Sequence, residues 1–423
     1  MSTLLKSFTS LCFAFLFVLP LTQAQDSYMS SPEEVGMSAE RLNRIGSHFQ
    51  SYLDENKFAG MQTLVARKGK IIHFESMGYA DKESGKKMDE SSIFRIYSMS
   101  KPITSVAIMM LYEEGKLNLD DPVHKYIPSF KNLTAVVKDD KSGETEAVKN
   151  PMRIVDLLTH TSGLGYGWGK GTYVDSMYRA TGFWFEQSMM GFADKVATMP
   201  LYFQPGTAWR YGISTDILGI IVEVASGQSF DVYLKENVFT PLGMEDTFFE
   251  VPQQKVDRFT TCYKPLLMGG IDVQDHPSKS RFAKTVTMFS GGGGLLSTSE
   301  DYFKFCQMLL NGGQLDGKRL LSPKSIELMT QVHTEGIEHA GGPVVHPTDA
   351  FGFGLGFSVT KNLAATNNLG SEGTYGWGGA AGTYFRIDPK EELVIIQMIQ
   401  LMPYAHLNHQ REFHSLVYQA IVE

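Results

Sequence analysis

The sequence predicts an α/β lobe assembled from both ends of the chain, with an all-α lobe inserted between them. Strand-like runs fall at residues 61–81 and again across 351–401, far apart in sequence. The stretch between them is dominated by helical periodicity, and residues 25–423 are enough for a large core. Strands at both termini with helices between make one lobe from the ends, about 25–97 and 345–423, and a helical lobe from about 98–344. The cleft between lobes is then the expected site.

Residues 1–24 stand apart. They carry one cation, Lys6, an apolar run from Leu11 to Leu21, and a small-residue exit ending at Ala24. This reads as a secretory signal cleaved after Ala24, giving a periplasmic or secreted protein with no stable membrane insertion afterwards. The apolar run is too short to span a bilayer comfortably; a retained N-terminal anchor is the alternative. Loss of Lys6 takes the formal charge from −8 to −9, with no basic block, which speaks against a nucleic-acid partner. Only Cys262 and Cys306 follow the signal. They allow one disulfide at most, and buried free thiols are the expectation.

The elements follow in order. Residues 31–58 supply a helix with Ser38 at its N-cap and Leu42, Ile45, Phe49 and Leu53 on one side. Residues 61–81 give two strands joined at Lys68-Gly69-Lys70. Next comes FRIYSMSKPITSVAIMMLYEEG, residues 94–115, whose Ile103, Val106, Ala107, Met110 and Leu111 recur at helical spacing and whose Gly115 offers a stop. Pro102 fits only a first turn, so this helix is expected to begin near Ser98. Ser98 and Lys101 then share one face. A serine hydroxyl becomes a nucleophile when a neighbouring base takes its proton, and a partly buried lysine can serve.

Residues 138–150 read as a surface loop or solvated hairpin, and 154–159 as a short helix ending at Gly163. His160 and Ser162 near that end are expected to bond backbone rather than react. Residues 165–192 place Trp168, Tyr173, Tyr178, Phe183, Trp184 and Phe185 among glycines and methionines, either as core or as an adaptable wall beside a pocket. Tyr211 sits where a loop meets a helix whose Ile217, Leu218, Ile221 and Val224 form the buried side. The run SGGGGLLSTSED places Ser297 and Glu300 as a capping box, and it lacks the lysine and spacing of a nucleotide loop. The chain closes with a helix near 322–331, strands in FGFGLGFSV, YGWGGAAGTYFRID and ELVIIQMIQL, and a final helix over 411–422.

Three separated features, Ser98-x-x-Lys101, Tyr211 ahead of its helix, and Trp377-Gly378-Gly379-Ala380, resemble those of the serine β-lactamase and penicillin-binding-protein superfamily. LDDPVHKYIP, LLTHTSGL, YGISTDILG and SGGGGLLST occur in that family's order, so the resemblance spans nearly the whole mature chain. Within it the chain looks like the class C β-lactamase-related branch that holds family VIII carboxylesterases and related transesterases. The resemblance implies an antiparallel sheet flanked by helices and a single hydrolase domain over 25–423. It implies Ser98 as the acyl-accepting nucleophile and Lys101 and Tyr211 as its proton-transfer partners, with either able to act as the base. It also implies an oxyanion hole from the N–H groups of Ser98 and Ala380, and substrate contact at Trp377, Gly378, Gly379 and Ile213.

Two departures bear on the substrate. Ile213 stands where β-lactamases of this class have the Asn of Tyr-x-Asn, and Trp377-Gly378-Gly379 replaces Lys-Thr-Gly or His-x-Gly. Both remove polar groups that hold the β-lactam's carboxylate and amide, which favours an uncharged small-molecule ester as substrate. Cleavage of β-lactams or D-amino-acid peptides, transfer to an alcohol acceptor, and a non-catalytic binding protein are the rival readings. No cofactor is expected. His406 and His409, and the looser set His333, His339 and His346, lack the acidic partner of a metalloenzyme motif. Oligomeric state leaves no mark in the sequence.

Overall fold

The computed structural model describes residues 28–137, 142–169, 171–342 and 344–423, so the signal reading lies outside the described residues, as does part of the 138–150 loop. An antiparallel sheet of eight strands forms the centre: β1 (Gly60–Arg67), β2 (Lys70–Asp81), β3 (Lys86–Lys87), β4 (Phe351–Phe353), β5 (Ser358–Thr360), β6 (Tyr375–Gly378), β7 (Tyr384–Asp388) and β8 (Leu393–Ile399). Their spatial order is β4-β5-β6-β7-β8-β1-β2-β3. The two ends of the chain meet where β1 pairs with β8, from Met61 opposite Ile399 to Arg67 opposite Leu393. Lys68 and Gly69 both have positive φ, 51° and 75°, the two-residue turn whose twist matches its flanking strands.

Five helices matter for the site: α1 (Arg44–Asp54), α2 (Ser100–Glu113), α3 (Ser214–Ser226), α4 (Ser299–Leu310) and α5 (His409–Tyr418). Alternation along β1 divides the sheet into two faces. Met61 and Val65 pack with Ile45 and Phe49 of α1 and Phe413 and Val417 of α5. Leu64 and Ala66 join the larger core on the other face, with Ile103 and Val106 of α2, Ile217 and Ile221 of α3, and Tyr302 and Phe305 of α4. Helix α2 is buried on nearly every side, which suits a sequence almost free of charge after Lys101.

Several local expectations change. Ser38 does accept the Arg41 N–H, but the helix breaks at Asn43 before α1 begins. Helix α2 starts at Ser100, and Ser98 belongs to a one-turn 3₁₀ segment, Tyr97–Met99, ahead of it. Thr298, not Ser297, caps α4 by accepting from Asp301 N–H, while Ser297 bonds the Thr247 hydroxyl. Val224 is 42% exposed, so the buried stripe of α3 turns away one step earlier than its periodicity suggested. FGFGLGFSV is a hairpin, β4 and β5, because Gly356 at φ 97° reverses the chain. The 138–150 loop is closed at its base by a short hairpin pairing Thr134–Val136 with Thr145–Ala147. Cys262 and Cys306 are free and buried. Among the described residues no single helix is long and apolar enough to cross a membrane.

Candidate active site

The 3₁₀ turn sets Ser98 just outside the N-terminus of α2. Tyr97, immediately before it, sits at φ 41°. That left-handed conformation costs a residue with a side chain on the order of 1–3 kcal/mol, and such strain gathers at functional sites. Lys101 follows one turn later, 1% exposed. Its Nζ donates to Ser98 Oγ at 3.3 Å, to Tyr166 OH at 2.9 Å and to the Gly292 carbonyl at 2.6 Å. Three acceptors match the three donors of an ammonium.

Tyr211 lies in the loop before α3, with Lys101 Nζ 4.7 Å from its ring centre. Its hydroxyl accepts a 3.1 Å hydrogen bond from Trp377 Nε1 on β6. The inserted region and the sheet are thereby tied together at the site. Gly379, just past β6, permits the close approach: a Cβ there would collide with the Ile96 carbonyl and the Thr383 hydroxyl. Ala380 occupies the following turn, closed by Gly382 N–H donating to the Gly379 carbonyl at 3.0 Å.

Ser98, Tyr211, Trp377, Gly378, Gly379 and Ala380 line one pocket of about 270 Å³. Lys101 reaches it through its bond to Ser98. Ile213 does not join them: it is fully buried and occupies the position before the first residue of α3. Its apolar side chain belongs to the core, so it offers the pocket no contact.

Other members left weaker traces in the sequence. Tyr166 is partly buried against Lys101, and desolvation pushes its hydroxyl well above the ordinary tyrosine range, with the neighbouring Tyr211 adding to the shift. Its signal was the G-Y-G-W-G run. Residues 165–192 divide between the two readings offered for them. Tyr166 and Trp168 stack at 4.1 Å beside the pocket, whereas Tyr178, Phe183 and Phe192 enter the core.

Asp216, buried on α3, accepts from Ser290 Oγ at 2.5 Å and from Gly292 N–H at 3.2 Å. It fixes the loop whose carbonyl holds Lys101, and a Cβ on Gly292 would strike the Asp216 carboxylate. Burial raises the Asp216 carboxyl above its ordinary range, and the Lys101 charge opposes that rise. His160 is buried with φ 58°, its ring 4.9 Å from Tyr211, and burial holds the imidazole well below its ordinary range, hence neutral. Its Nδ1 has no hydrogen-bond partner, so the helix-end bonding expected of it is absent there. Ser162 pairs with the Ser214 hydroxyl at 2.8 Å and also accepts the Leu164 N–H. Among the described residues, no group of three or more His, Cys, Asp or Glu side chains is placed to hold a metal ion.

A protein-family model described as Beta-lactamase matches residues 45–418. Protein Rv1367c of Mycobacterium tuberculosis is 35% identical over 364 residues, covering 83% of this chain and 88% of the relative. Esterase EstB of Burkholderia gladioli is 30% identical over 375 residues, with the same two coverages, 83% and 88%. Among solved structures, EstCE1, described as a hydrolase with promiscuous acyltransferase activity, superposes with a TM-score of 0.75 at 25% identity, covering 90% of this chain and 99% of that one.

Proposed function

The chain belongs to the Beta-lactamase family and is a serine hydrolase of it; from that premise we propose that it is an exported carboxylesterase working through an acyl-Ser98 intermediate. The observation that carries the reading is the 3.3 Å contact between Lys101 Nζ and Ser98 Oγ inside a pocket walled by the Trp377-Gly378-Gly379 strand. Export rests on the signal-like residues 1–24. The ester preference is supported by the polar group missing at Trp377, and by the relation to an esterase at 30% identity.

With Lys101 neutral, the contact reverses and the Ser98 O–H donates to Nζ. Ser98 Oγ attacks the ester carbonyl carbon as its proton passes to Lys101. The oxyanion forms within reach of the Ser98 and Ala380 N–H groups. Collapse breaks the C–O bond, and the alkoxide takes a proton relayed from Lys101 through Tyr211 and leaves as the alcohol. Water then attacks the acyl carbonyl carbon and passes its proton through Tyr211 to Lys101; collapse breaks the C–O bond to Ser98, whose Oγ takes that proton from Lys101, and the acid leaves. Tyr211, fixed by Trp377, and Tyr166, on Lys101, hold the relay in place.

Purified protein should hydrolyse p-nitrophenyl acetate and butyrate with a burst of product before steady state. Ser98→Ala should abolish turnover; undiminished activity in that variant would sink the reading. Nitrocefin turnover as efficient as ester turnover would replace it with a β-lactamase.

A further inference from the structure

One cation in the pocket has no role in this chemistry. Arg386 on β7 lines the cavity together with Ser98 and Ala380. It sits opposite Gly376 of β6, where a Cβ would come within 3.0 Å of Arg386 Cδ, so the glycine leaves room for the arginine stem. Nε donates to Tyr384 OH at 3.1 Å, and the guanidinium lies 5.3 Å and 5.8 Å from the ring centres of Tyr384 and Phe351. Nη1 is buried without a hydrogen-bond partner, while the residue as a whole is only half-buried and lines the pocket.

No carboxylate among the described residues forms an ion pair with it. The acid two residues along the strand, Asp388, is already committed: it accepts from Tyr418 OH at 2.7 Å and from the Lys390 and Glu391 N–H groups. The two nearby imidazoles, His346 and His414, are each pushed down to about 4, chiefly by burial, with the Arg386 charge contributing. They are neutral near pH 7 and supply no counter-charge.

A guanidinium carries five donors in a rigid fork. Leaving one desolvated and unpaired is costly, and a carboxylate satisfies the fork in two parallel charge-assisted bonds. The hydroxyls of Tyr384 and Tyr404 and the Gln410 amide lie around the same pocket, while Trp168, Val344 and Trp377 provide apolar surface.

We infer that Arg386 is the specificity-determining residue of the pocket and that the substrate is an ester bearing a free carboxylate, such as a monoester of a dicarboxylic acid. The inference rests on the esterase reading for its chemistry and on the unpaired guanidinium for its specificity. It alters the expectation of an uncharged ester, which counted the polar groups lost from the motifs and could not count one arriving from the neighbouring strand.

The test compares p-nitrophenyl hydrogen glutarate with p-nitrophenyl butyrate, and measures the rise in melting temperature on adding glutarate. The wild type should favour the acidic ester at least tenfold in kcat/KM. Arg386→Leu, or Arg386→Gln if the leucine variant does not fold, should cut that ratio at least tenfold, mainly through KM, and erase the glutarate shift. Arg386→Lys should fall between. A preference and a glutarate shift that are the same in wild type and variants would overturn the inference. An inactive wild type that still shows an Arg386-dependent glutarate shift would overturn the esterase reading and leave the carboxylate site standing.

Discussion

Two cations serve one pocket, and the protein treats them oppositely. Lys101 is sealed in the first turn of α2 with every donor engaged, its position set by Ser98, Tyr166 and the carbonyl of a loop anchored by Asp216. Arg386, out on β7, has one bond to a tyrosine and a buried nitrogen with nothing to hold. A cation whose bonds are complete has its surroundings finished by the fold, as a group that must move protons at a fixed geometry requires. A cation whose bonds are incomplete has its surroundings finished by something that arrives. On the proposed reading, the helix side of the pocket is built for the reaction and the sheet side for choosing.

The contrast breaks most severely if Lys101 is dispensable. Lys101→Ala should lower kcat by about 10² to 10⁴, the range for a positioned general base, with little change in KM. A loss confined to KM would move Lys101 to the selecting side of the pocket.

A smaller effect is expected at the tie between the two sides. Trp377→Phe removes the 3.1 Å donor to Tyr211 while keeping an aromatic ring on β6. The lost hydrogen bond is worth about 1 kcal/mol, so kcat should fall roughly fivefold. Because the bond supports the proton relay and not substrate choice, the preference between acidic and neutral esters should stay constant. A changed preference would show that Trp377 also selects.

The smallest effect concerns acid. His73, His346 and His414 are pushed down to about 4, and His409 to about 3, all chiefly by burial. Their folded values lie below the unfolded one, so the unfolded chain takes up protons first as pH falls. Their contribution is fully present above about pH 6.5 and is lost as pH drops toward 4. Asp301, raised to about 6 by burial, works in the opposite sense, since its folded form holds a proton longer, and so do Asp216 and Glu75, but His160 is held low as well, so the lowered histidines outnumber them. The melting temperature should therefore fall steadily from pH 7 to pH 4.5, as calorimetry would read. The fall should be shallower in Arg386→Leu, because His346 and His414 lose a repulsive neighbour.

The arrangement of the helix side was legible because its parts are local or fixed in order. Ser98 and Lys101 stand three apart on one turn, and the Trp377-Gly378-Gly379 run needs its glycines wherever backbone must approach backbone. The eight-stranded sheet was legible because alternation and the Lys68-Gly69 turn write themselves into short stretches. What escaped depends on pairings across hundreds of residues. In the sequence Asp216 is one acid in the first turn of a helix, and only the loop at 290–292 resting on it sets it apart. In the sequence Arg386 is one polar residue within YFRID, and only the pairing with Gly376 opens its path. Tyr384, Arg386 and Asp388 share one strand face, and that alternation of polar groups against buried Phe385 and Ile387 was the available hint. Ile213 misled because position in a motif says which residue is adjacent, not which way it points.

The pairing of β1 with β8 carries a consequence for how the protein comes into being. Met61 waits for Ile399, so the middle of the sheet cannot close until almost all of the polypeptide is present. Contacts this distant in sequence slow folding, because the chain must close its largest loop before those contacts repay it. Ser98 and Lys101 emerge early in synthesis, but Trp377, Ala380 and Arg386 come nearly three hundred residues later. A growing or truncated chain therefore holds a nucleophile without a wall to work against, and the hydrolytic pocket arrives all at once, with the last strands.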